Sequence, residues 1–150
     1  MADADATTHP DPLARARFHM RLGFAALTVF ASVGLVLEGM HGFKVAYYLD
    51  ATNETRRLMW RLGHAHGVLL ALVNVAFGVT LHVLARDGRA LRLGSRALLA
   101  ASLLLPVGFL AAGFGVYGGD PGWFIALVPL GGGVLVLGLA AIAWGLRGEA

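Results

Sequence analysis

Glu38 and His41 stand three residues apart, and further along the chain His64 and His66 flank a single alanine. Imidazole with carboxylate binds zinc, iron or copper, paired imidazoles hold haem iron, and a Glu–His pair can carry a proton. A spacing of three puts Glu38 and His41 on one helical face, the Glu-x-x-His element of carboxylate-bridged metal sites in helix bundles. His64 and His66, two apart, point to opposite sides of a regular helix and cannot chelate one ion. His19, His82 and Asn74 complete the set of unusual polar residues. The chain has no cysteine, which excludes disulfides and thiolate metal sites.

These residues sit in very apolar surroundings. Of 150 residues, 57% are hydrophobic and 14% charged, whereas a soluble domain is roughly a quarter charged. Four apolar segments, 18–43, 59–84, 97–117 and 123–146, each reach the ~20 residues that span a ~30 Å hydrocarbon layer. The connections 50–57, 85–96 and 118–122 are short, and short connections make neighbouring helices antiparallel. The expected fold is an all-α integral membrane protein, an antiparallel up-down four-helix transmembrane bundle. It forms one domain over 15–150, after a disordered tail of small and polar residues over 1–14. That tail lacks the basic start of a signal peptide.

The positive charge follows membrane topology and not an anionic polymer. Arg15, Arg17, Arg21, Arg86, Arg89, Arg92, Arg96 and Arg147 fall on one side, against Lys44, Arg56, Arg57 and Arg61 on the other. The more basic side faces the cytoplasm, so both termini are expected there, in a bacterial inner membrane. Trp60, Trp123, Tyr47, Tyr48 and Tyr117 then form the outer aromatic belt and Trp144 the inner one. The expected partners are the lipid bilayer and a second copy of the chain or a larger membrane complex, with no nucleic acid.

An ionisable group at membrane depth costs ~2.5–3.5 kcal/mol on insertion scales and is a functional candidate by default. All of them lie on the first two segments. If the first helix continues to Leu49 and the second starts near Arg56, antiparallel pairing puts His41 level with His64, and Glu38 level with Gly67 beside His66. His19, Gly23, Gly34, Glu38 and His41 share one helical stripe, and glycines in such a stripe let another backbone approach. The expectation is an outer cluster of Glu38, His41, His64 and His66, and an inner pair, His19 and His82, solvated near the interface. Arg56, Arg57 and Arg61 serve topology or receive an anion beside the cluster.

The stretch Gly63-His64-Ala65-His66-Gly67-Val68-Leu69-Leu70 resembles the second helix of haem–copper oxidase subunit I, where a His-Gly pair near the helix start carries a low-spin haem ligand. It is also similar to small four-helix membrane proteins related to that superfamily, which show a His-Ala-His motif at this place. The resemblance covers about twenty residues and implies His66 as the haem-ligand position. Subunit I takes its second axial histidine and its copper ligands from later helices, and the last two segments here carry no histidine. An axial partner would therefore come from His41, His19, His64, His82 or a second copy. Together these features predict a membrane-embedded protein that binds haem b or a transition metal (Cu, Fe or Zn), of a redox or metal-handling kind. Its cofactor ligands would be His66, His41 and His64, or Glu38, His41, His64 and His66 for a bare metal. The alternatives are an accessory subunit with a Glu–His packing network, and a proton-coupled carrier with Glu38 as the titrating group.

Overall fold

The computed structural model describes residues 12–147. Its helices are α1 (Pro12–Gly42), α2 (Ala46–Leu49), α3 (Glu54–Leu84), α4 (Arg89–Phe114) and α5 (Leu127–Leu146), the last preceded by a 3-10 turn, Trp123–Ala126. The spans Leu13–Gly42, Glu54–Leu84, Arg89–Phe114 and Trp123–Leu146 are each long and apolar enough to cross a membrane. Of the tail expected over 1–14, residues 12–14 belong to α1, with Pro12 at its first position, where a missing N–H costs nothing. The rest of that tail lies outside the described residues.

The first helix ends earlier than Leu49. Lys44 takes a left-handed conformation (φ 53°), Val45 N–H donates to the Met40 carbonyl at 2.9 Å and Lys44 N–H to that of His41 at 3.2 Å. This pair of bonds is a Schellman cap. After it, α2 is a separate single turn. α3 starts from Asn53, whose side chain accepts from the Arg56 N–H, and ends at Ala85, again left-handed. Between α4 and α5, Tyr117 and Asp120 pair across Gly118 and Gly119. Both glycines have positive φ, as a tight two-residue hairpin requires, so Asp120 closes a turn.

The long helices pack in chain order, α1 on α3, α3 on α4 and α4 on α5. Among the described residues α1 and α5 are not neighbours, which leaves a seam open between the first and last helices. Glycines mark the close approaches. Gly78 lies against Ala16 and Met20, Gly67 against Phe30, and Gly34 against His64, so numbers rise along α3 as they fall along α1. A main core of Leu70, Leu81, Leu91, Leu98, Leu105 and their neighbours joins the helices, and a smaller cluster of Leu37, Tyr48 and Trp60 sits at the α2 end.

Candidate functional site

A cleft of about 570 Å³ opens between α1 and α3 beneath α2. It is lined by Gly34, Leu37, Glu38 and His41 of α1, Tyr48 of α2, and Arg57, Arg61 and His64 of α3. The early end of α1 sets which residues meet. Because α1 stops at Gly42 and α3 begins at Glu54, Gly34 lies against His64, in place of His41. The expected register is thus shifted by about two helical turns, since the expected continuation to Leu49 is a separate element.

The His64 ring occupies the space that a Cβ on Gly34 would need. Its Nδ1 lies 2.8 Å from the Phe30 carbonyl. A carbonyl only accepts, so Nδ1 carries the proton and Nε2 keeps a lone pair. Such a backbone anchor is how ligating imidazoles are commonly oriented. His41 meets Tyr48 edge-on at 6.5 Å, and Tyr48 stacks on Trp60 at 6.2 Å. Trp60 in turn donates its indole N–H to the Leu110 carbonyl of α4. Arg56 fastens α2 from below, with its guanidinium 3.9 Å from the centre of the Tyr47 ring and a bond to the Tyr47 carbonyl.

Glu38 and His41 are exposed on the wall of the cleft. Arg57 pairs with Glu54 at 3.1 Å, and Arg61 is exposed. Beside the cleft, the Thr52 hydroxyl and N–H both donate to Asp50 and hold its carboxyl below the ordinary carboxylate range.

His66 departs from the expected cluster. It does not line the cleft; its Nδ1 donates to the Leu62 carbonyl and its ring tilts against Phe109 of α4 at 4.8 Å. The two-residue spacing separates the histidines as helical geometry requires. Among the described residues no three His, Asp or Glu side chains are gathered closely enough to hold one metal ion.

The inner pair is also split. His82 is exposed, whereas His19 has no exposed surface. Its ring bonds Asn74 Oδ1 and Ser95 Oγ, both at 2.7 Å, and packs edge-on against Phe77. Asn74 continues to Ser102 Oγ at 2.9 Å, so a buried polar chain joins α1, α3 and α4. Sequence reasoning missed Ser95 and Ser102. Their spacing of seven, which puts both on one face of α4, was the available signal. It also missed Tyr48 as a wall of the cleft.

Chemically, the cleft offers an oriented imidazole with a free lone pair, a second imidazole, one carboxylate and two guanidiniums. The last two give it an affinity for anionic groups. Compared with protein-family models, curated proteins and solved structures, the chain matches none.

Proposed function

We propose that the chain is an integral protein of a bacterial inner membrane. Its four long helices cross in up-down order, with both termini cytoplasmic and α2 at the outer face. We further propose that the α1–α3 cleft binds haem for a redox role. One observation carries the cofactor reading: His41 and His64 share a single cleft with Arg57 and Arg61. Two guanidiniums oppose a bare cation but suit a cofactor that brings its own carboxylates. The volume, about 570 Å³, is that of a small-molecule site, which runs from roughly 300 to 1,000 Å³.

The donor set fits. His64, through Nε2, and His41 would hold the iron, and Arg57 and Arg61 would receive the propionates. Haem so held supplies one-electron chemistry. The protein's part is to orient the imidazoles, exclude the wrong tautomer and balance charge. In this reading His64 takes the place that the resemblance implies for His66. A bare transition metal on Glu38 and His41 is the second reading, favoured by their shared face.

The test is an absorption spectrum and elemental analysis of the protein purified in mild detergent. A Soret band lost in His64→Ala and kept in His66→Ala is expected. A band lost only in His66→Ala would return the ligand to that position. Stoichiometric metal without a Soret band would favour the second reading, and colourless, metal-free protein would overturn both.

A further inference from the structure

A second groove shares no lining residue with the cleft. It runs between α1 and α4, over a floor of Gly67 and Ala71 from α3, with Leu22 and Ala26 on one wall and Leu99 and Leu103 on the other. Its volume is about 160 Å³, below the roughly 300 Å³ at which cofactor sites begin. Asn74 and Ser102, which also line it, spend their polar atoms on each other and on the Leu70 and Leu98 carbonyls.

One end of this groove is strongly basic. α1 and α4 both start there: Arg15 and Arg92 share Asp87 at 2.6 and 2.9 Å, and His19 meets Ser95 just beyond. Arg96 is exposed and stands at the same height as that contact. Leu99 and Leu103 follow Arg96 at three and seven residues, so the charge and the groove wall lie on one helical stripe. Eight arginines and no lysine occupy this end, with Asp87 the single acid among the described residues; Asp3, Asp5, Asp11 and Glu149 lie outside them. At the other end Lys44, Arg56, Arg57 and Arg61 are matched by Glu38, Asp50, Glu54 and Asp120. α4 also begins without an acidic residue in its first turn or a side-chain cap, which adds the positive end of its dipole.

We propose that this groove binds an anionic phospholipid, with one acyl chain between α1 and α4 and the phosphodiester at Arg96. Lysine would satisfy topology as well as arginine does. The guanidinium fork adds bidentate phosphate recognition. The proposal rests on the membrane reading above and is independent of what the cleft holds.

The test reconstitutes the protein into vesicles of equal phosphatidylglycerol and phosphatidylcholine, re-extracts it in mild detergent and counts retained lipid by native mass spectrometry. One phosphatidylglycerol per chain is expected in preference to phosphatidylcholine. Arg96→Gln should lower that retention about fivefold, the effect of the roughly 1 kcal/mol that one basic side chain contributes near an anionic surface. Arg96→Lys should fall between the two. Ala26→Phe, which fills the groove and leaves Arg96 in place, should lose the lipid as well. Arg147→Gln, at the same end but just after α5, which forms no wall of the groove, should retain it. Equal retention of both lipids, unchanged retention in Ala26→Phe, or an equal loss in Arg147→Gln would each overturn the proposal. Protein that fails to enter vesicles at all would overturn the membrane reading instead.

Discussion

Gly34 is the residue on which the site most depends, because the His64 ring rests where any side chain at that position would stand. The absent Cβ lets the imidazole reach the Phe30 carbonyl, and that bond fixes which nitrogen is free. Gly34→Ala must therefore push the ring away or part the helices. Overpacking of this kind costs about 1–3 kcal/mol. The expected result is a lower thermal midpoint together with a weakened Soret band at matched protein concentration; a stable variant with an unchanged spectrum would remove His64 from the site. His19 shows the opposite use of the same residue type. With both ring nitrogens bonded to neutral partners, it is a fastener between helices. Spacing identified the separation of His64 from His66; the register that grouped Glu38, His41 and His64 is shifted in the structure, yet all three line one cleft. Burial of His19 was not legible, since its partners Asn74 and Ser95 come from two other helices, far away along the chain.

At the scale of elements, the four long segments could be read from hydropathy alone, but their ends could not. α1 stops at a left-handed lysine, where glycine is the usual residue, so nothing in the local sequence announced the cap. The resulting shift of about two turns decided which residues face one another. Lys44→Gly should relieve the left-handed strain, which is roughly 1–2 kcal/mol for a side-chain-bearing residue. After glycine's extra unfolded-state entropy, a net gain of about 0.5–1 kcal/mol is expected in thermal or denaturant unfolding. The loop between α3 and α4 has a different device. Burial works to raise the pKa of Asp87, yet hydrogen bonds from Arg15 and the Gly88 backbone, with the charges of Arg15 and Arg92, outweigh it and leave the pKa lowered. A depressed folded-state pKa stabilises fully above the ordinary carboxylate value of about 3.9 and is lost as pH falls through the lower folded value. Melting of wild type in detergent should therefore decline on that acid limb, and Asp87→Asn should flatten the decline.

For the whole molecule, the charge asymmetry between the two ends is the feature with the widest reach. It predicts a single orientation in the membrane. A chain without cysteine permits a direct check. Thr52→Cys, in the turn beside α2, should react with an impermeant thiol reagent in intact cells, and Arg89→Cys only after the cells are opened. The reverse outcome would invert the topology.

Among the long helices, α1 has α3 as its sole backbone neighbour, and the cleft lies along that one interface. The width of the cleft is consequently governed by a single degree of freedom, the swing of α1 on the glycine contacts at Gly23, Gly34, Gly67 and Gly78. The buried His19 bridge pins one end of that swing, and the strap of α2, held by Arg56, limits the other. The cleft can therefore widen or narrow by movement of α1 alone, without breaking the contacts among α3, α4 and α5.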